Sequence, residues 1–67
     1  MDDSWITVFS TNQLYKAEIV KELLFDHQIM AFVLNLQDSV YLFGDIEVRV
    51  QPADVIRAKH ILNKIEI

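Results

Sequence analysis

The chain has 67 residues, of which 52% are apolar, with no cysteine and a net charge of −4. This length predicts a single domain, residues 1–67, and the lack of cysteine excludes disulfides and thiolate metal sites. Six lysines and arginines are scattered among ten carboxylates, which argues against a nucleic-acid partner because such a partner needs clustered cations. The start MDDS is unlike a secretory signal, and no apolar run approaches the roughly 20 residues of a membrane helix. We therefore expect a cytoplasmic protein without membrane contact.

The first half of the chain predicts a strand, a helix and a second strand. Residues 5–9 are aromatic and β-branched, which is typical of a strand, and the polar residues after them can cap a helix. Residues 29–36 are almost continuously apolar and predict the second strand. Between the strands, residues 13–28 predict a helix, because apolar side chains recur at helical spacing at Leu14, Ala17, Val20 and Leu24.

The second half predicts a third strand and a second helix. Residues 45–50 alternate between charged and apolar side chains, as a strand with one buried face does. Pro52 begins the helix, since proline is well tolerated at the first helical position. Residues 65–67 form either a short fourth strand or a frayed end. The apolar stripe of this helix comprises Val55, Ala58, Leu62 and Ile65, flanked by Ile56 and Ile61.

This order of elements predicts an α+β fold, a ferredoxin-like β-α-β-β-α two-layer sandwich. A right-handed crossover through the first helix makes the first two strands parallel, and the third strand pairs back on the second. The third strand then lies in the middle, which gives a three-stranded antiparallel sheet in the order 2-3-1. Both helices are expected on one face of that sheet.

Several segments resemble a known family. The helix AEIVKELLFDHQI, the strand IMAFV and the strand EVRV, which runs into PADVIRAKHIL, resemble the small bacterial family of putative prokaryotic signal-transducing proteins, a domain of unknown function. The resemblance covers residues 6–62, and the chain departs from it at Gln28 and Met30, where the family typically has glycine and proline. It implies a fold similar to PII-type and ACT-type regulatory domains and, by that analogy, a role in signalling. It implies no ligand and no catalytic residue.

The alternation in the third strand sets which sheet face meets the helices. Ile46, Val48 and Val50 must point inward, because the residues between them are charged. In the first two strands, the side chains predicted to point inward are Ile6, Val8, Ile29, Ala31 and Val33. Those predicted to point outward are Trp5, Thr7, Phe9, Met30, Phe32, Leu34 and Leu36. A slip of one residue would exchange the two faces of a strand.

The outward apolar residues predict an interface, since large exposed apolar patches usually mark binding surfaces. We expect a homodimer or a protein partner on this face, because two-fold dimers are the commonest oligomers. The alternative is that the apolar loop VYLF, residues 40–43, folds over the face. Glu47 and Arg49 share the outward face and set the register of the contact. The predicted interface residues are Trp5, Phe9, Phe32, Leu34, Tyr41, Leu42, Phe43, Glu47 and Arg49.

Other candidate sites have simpler interpretations. His27 and His60 lack metal-ligand spacing, and we interpret them as surface or boundary residues. The acidic ridge Glu18, Glu22 and Asp26 is a solvated helix face or a docking strip for a basic partner. No catalytic, cofactor or metal site is predicted, since no phosphate loop and no nucleophile motif is present.

The resulting hypothesis is a small regulatory or protein-interaction module that is not an enzyme and needs no cofactor. The alternative is a small-molecule sensor of the ACT or PII type, which would bind an unidentified metabolite at a dimer seam.

Overall fold

The computed structural model describes residues 4–37 and 45–65, which form three strands and two α-helices in the predicted order. The predicted interface residues Tyr41, Leu42 and Phe43 lie outside the described residues, as do residues 66–67 of the predicted fourth strand. None of the helices in residues 4–37 and 45–65 is long and apolar enough to cross a membrane. The elements are β1 (Ile6–Thr11), α1 (Leu14–Asp26), β2 (Ala31–Asn35), β3 (Ile46–Val50), a 3-10 turn (Pro52–Asp54) and α2 (Val55–Leu62).

β3 is the central strand of the sheet and pairs antiparallel with both β1 and β2. The strand order β1-β3-β2 and the two helices confirm the predicted α+β, ferredoxin-like arrangement. Successive side chains of a strand point to opposite faces, and those of β3 alternate between apolar and charged. Ile46, Val48 and Val50 are buried on the face toward the helices, whereas Glu47 and Arg49 are half-buried on the other face.

The hydrophobic core lies between that apolar face of the sheet and both helices. Ala17, Val20 and Leu24 of α1 are fully buried in it, as their helical spacing predicts. Leu14, which begins the predicted stripe, remains 49% exposed at the start of α1. Ala58 of α2 is buried in the same cluster, so both helices cover one face of the sheet.

α2 packs less deeply than α1. Val55, Ile61 and Leu62 are only partly buried against the core, and the predicted flanking residue Ile56 is 83% exposed. A helix of eight residues presents little more than two turns, so only one of its side chains reaches the centre of the core. The main apolar layer over the sheet therefore comes from α1.

β2 lies in the predicted orientation. Ala31 pairs with Val50 and Val33 pairs with Val48, which places both β2 side chains on the inner face. Phe32 pairs with Arg49, and Leu34 pairs with Glu47, so these two apolar side chains point away from the helices. Directly opposed residues of an antiparallel pair share a face, and the charged residues of β3 therefore identify the outer face.

β1 contains a bulge that the sequence did not predict. Thr7 pairs with Arg49, but the next pair is Phe9 with Val48, so Val8 is an extra residue in the strand. The bulge reverses the alternation after Thr7 and turns Phe9 toward the inner face. Both Val8 and Phe9 pack against the core. The prediction that Phe9 points outward as an interface residue is therefore wrong.

α1 ends in a Schellman motif, in which two backbone N–H groups bind the last helical carbonyls. The N–H of Ile29 donates to the carbonyl of Leu24 at 2.9 Å, and that of Gln28 donates to the carbonyl of Phe25 at 2.8 Å. The motif needs a left-handed residue, and Gln28 has a φ of 62°. Glycine adopts this conformation without steric cost, whereas glutamine does not.

We expect Gln28→Gly to raise the free energy of unfolding by about 1 kcal/mol, because it relieves the left-handed strain at the helix end. For a domain of this size that corresponds to a rise in Tm of about 4–8 °C. Urea denaturation measures the change. As a matched control, Glu22→Gly at an exposed position inside α1 should lower the stability by about 1 kcal/mol. A loss of stability in both variants would contradict the strain at Gln28.

Candidate functional site

The outer face of the sheet, which carries Trp5, Thr7, Phe32, Leu34, Glu47 and Arg49, is the candidate functional site. Strand pairing organises it into two rows that run across the strands. Thr7, Arg49 and Phe32 form the first row, and Ser10, Glu47 and Leu34 form the second. Each row therefore places a charged residue of β3 between a hydroxyl of β1 and an apolar side chain of β2.

An aromatic pair joins the two outer strands of the sheet over β3. The Trp5 and Phe32 ring centroids lie 4.7 Å apart at an interplanar angle of 77°, which is an edge-to-face contact. Strands on either side of a central strand lie about 10 Å apart, so only a large side chain such as tryptophan spans that gap. The contact places a continuous aromatic surface at one end of the outer face.

A polar cluster lies beside the aromatic pair. Arg49 Nε donates to Glu47 Oε1 at 2.9 Å and to Thr7 Oγ1 at 3.1 Å, and Arg49 Nη2 also donates to Glu47 Oε1. The Thr7 hydroxyl donates to the same carboxylate oxygen at 3.0 Å. The side chains of Arg49 and Glu47 remain 31% and 20% exposed. The outer face therefore holds its charges as a partly covered, hydrogen-bonded pair.

The hydrogen bonds of this cluster lower the pKa of Glu47. The hydrogen bond from Arg49 is the largest cause, followed by that from Thr7, and both favour the ionised carboxylate over the neutral acid. Desolvation opposes the shift but does not cancel it. Glu47 is consequently a carboxylate at neutral pH, and a weak base.

The lowered pKa of Glu47 predicts a pH dependence of stability. A carboxyl group with a lower pKa in the folded than in the unfolded chain stabilises the fold above its ordinary pKa of 4.5. That stabilisation is lost as the pH falls from 4.5 through the lower, folded pKa. We expect Arg49→Gln to raise the Glu47 pKa, and an NMR titration of the Glu47 carboxyl carbon measures it.

Arg57→Gln provides the control, since it removes an α2 cation that pairs with Asp54 of the 3-10 turn and has no part in the Glu47 cluster. The titration of Glu47 should be the same in this variant as in the wild-type chain. An unchanged Glu47 titration in Arg49→Gln would contradict the role of Arg49.

The structure brings together five of the predicted interface residues: Trp5, Phe32, Leu34, Glu47 and Arg49. Phe9 does not belong to the site, for the reason given above. The sequence reasoning placed Thr7 on the outer face but did not include it among the interface residues. The pairing register of β1 and β3 places Thr7 directly opposite Arg49, and this position identifies Thr7 as part of the site.

The other predicted candidates lie on the helical layer. Glu18, Glu22 and Asp26 line one shallow cleft beside Ile19 and Leu23. In a second cleft, which separates the two helices, the structure brings His27 and His60 together. Within residues 4–37 and 45–65, no group of three or more histidine, aspartate or glutamate side chains is placed to hold a metal ion.

Comparison with known proteins identifies one match. A family model described as putative prokaryotic signal transducing protein matches residues 5–66, which is nearly the whole chain. Searches of curated proteins and of solved structures give no significant match. The matched range includes every described residue of the outer face.

Proposed function

The chain belongs to the family of putative prokaryotic signal transducing proteins, and from this premise we propose that it is a small regulatory module that acts by binding. The binding surface in this proposal is the outer face of the sheet. Its first partner is a second copy of the same chain. A homodimer of this kind gives a regulatory protein a defined surface whose assembly or exposure can transmit a signal.

The observation that carries the proposal is the apolar half of the outer face. Trp5, Phe32 and Leu34 form this half, and both helices pack on the opposite face of the sheet. Burial of such apolar side chains against a second surface favours association. Trp5, Phe32 and Leu34 each remain partly exposed in the single chain, and contiguous exposed apolar surface is typical of an interface.

The polar half of the outer face fits a second copy. Glu47 and Arg49 lie two residues apart on the central strand and carry opposite charges. A two-fold axis that lies in the interface and crosses the strand places Arg49 of one copy over Glu47 of the other. Each charge already has a hydrogen-bonded partner in its own chain, which reduces the cost of burying it. The charge pattern is therefore self-complementary.

We propose that this site binds rather than catalyses. Glu47 is the carboxylate of the charged pair on the outer face, and its lowered pKa makes it a poor proton acceptor. Its bonds to Arg49 and Thr7 hold it in a fixed, ionised state. Such a pair suits the alignment of two surfaces better than the transfer of protons.

Light scattering over a concentration series tests the proposed homodimer. We expect a mass of twice the 7.8 kDa of the chain, falling toward the single mass on dilution. A single mass at every concentration would contradict the homodimer. A saturable rise in Tm with a metabolite that binds only the dimer would instead favour a sensor function, because a ligand stabilises the state that it binds.

A further inference from the structure

The cleft between the two helices lies on the layer opposite the outer face and is separate from the proposed interface. It has a volume of about 320 Å³, near the lower limit for small-molecule sites. Among the described residues it is lined by Leu23, His27, His60, Ile61, Lys64 and Ile65. We propose that this cleft binds a small amphipathic carboxylate, with an apolar tail and an anionic head.

The apolar side chains of the cleft suit the tail. Leu23 of α1 and Ile61 of α2 are partly buried, and Ile65 follows α2 at the end of the described chain. These three residues supply only hydrocarbon surface to a ligand. An alkyl or aromatic tail would bury that surface without leaving a polar group unpaired.

The polar side chains of the cleft suit the anionic head. They are His27, His60 and Lys64, and the described part of the lining contains no carboxylate. This is unusual in a chain whose ten acidic residues outnumber its six lysines and arginines. Lys64 supplies a permanent point charge for the carboxylate head, and the two imidazoles supply polar ring nitrogens beside it.

A hydrogen-bonded framework holds the α1 side of the cleft. His27 Nδ1 donates to the carbonyl of Leu23 at 3.1 Å, which fixes the imidazole ring at the end of α1. Arg57 Nη2 donates to the carbonyl of His27 at 2.9 Å and so ties α2 to this point. Arg57 also adds a second permanent cation next to His27, balanced in part by Asp54 at 3.5 Å.

The neighbouring cleft provides an internal contrast. It shares Leu23 and adds Ile19, but its charged residues are Glu18, Glu22 and Asp26. Two apolar clefts on either side of the same helix thus carry opposite charge. An anionic amphiphile should enter the cleft that contains Lys64 and avoid the acidic one, because like charges repel.

Titration with decanoate below its critical micelle concentration, followed by amide NMR shifts, tests the proposal. We expect saturable shifts at Leu23, His60 and Lys64. Lys64→Glu should weaken binding by at least about tenfold, because it replaces an attraction to the carboxylate with a repulsion. The matched control is Lys59→Glu, which makes the same charge change on α2 in a different cleft and should retain binding.

Decyltrimethylammonium separates the anionic head from the tail, since it has the same tail and the opposite charge. The proposal would be overturned if this cation bound as tightly as decanoate, or if decanoate showed no saturable binding. It would also be overturned if Lys64→Glu and Lys59→Glu weakened decanoate binding equally. Decanoate binding does not depend on the proposed homodimer. Phe32→Glu changes the outer face, on the opposite layer, and should leave decanoate binding unchanged. Failure of the ligand site and failure of the proposed interface are therefore distinguishable.

Discussion

Leu24→Ala is expected to lower the free energy of unfolding by about 3 kcal/mol, the typical cost of removing a fully buried leucine side chain. Leu24 is 0% exposed and lies where α1 crosses the sheet core. The alanine leaves a cavity, because the surrounding strands relax only in part. A single core of this size rarely supplies more than about 3–5 kcal/mol, so the variant should lose most of its stability. Urea denaturation, with the slope compared between variants, measures the loss.

Leu14→Ala is the matched control, since it makes the same chemical change on the same helix at a residue that is 49% exposed. We expect it to cost less than about 1 kcal/mol. Equal losses at both positions would show that burial against the sheet does not determine the stability of this helix, and the proposed core would be wrong.

Phe32→Glu is expected to convert the proposed homodimer into a folded monomer. Phe32 contacts Trp5 at the centre of the apolar half of the outer face, and a charge there must lose its hydration on dimerisation. We expect a loss of more than about 2 kcal/mol in association, or more than thirtyfold in Kd. The fold should survive, because a glutamate at this position lies directly opposite Arg49 and can pair with it in the monomer.

The control for this substitution is Ile56→Glu, which introduces the same charge at a side chain 83% exposed on α2. It should remain dimeric by light scattering at concentrations where Phe32→Glu is monomeric. A dimer that withstands Phe32→Glu but dissociates in Ile56→Glu would place the interface on the helical layer.

The sheet was predictable because one strand constrains the others. The alternation of charged and apolar residues in β3 determines its inner face without reference to any neighbour. β2 is apolar on both faces, so its own sequence leaves the orientation open, and pairing with β3 settles it. The outward orientation of Phe32 and Leu34 follows from that pairing. Glu47 and Arg49 were predicted to share a face, and the structure adds Thr7 as their common partner.

The bulge in β1 was not predictable from apolar patterning. Val8 and Phe9 are adjacent and both apolar, so either can face the core, and the structure packs both against it. The left-handed conformation at the end of α1 was also not predictable from the residue itself, because glutamine does not favour a positive φ. The family typically has glycine at the position of Gln28, and a glycine after a helix is the usual sign of a positive φ such as the one observed here.

The most direct test of the outer face as an interface is an isotope-filtered NOE experiment on a mixture of ¹³C-labelled and unlabelled chains. Such a spectrum reports only contacts between different copies of the chain. We predict intermolecular cross-peaks from Trp5, Phe32 and Leu34 at concentrations where the solution mass is that of a dimer. Intermolecular cross-peaks confined to α1 and α2 would contradict the proposed function. So would a monomeric sample that gives no intermolecular cross-peaks.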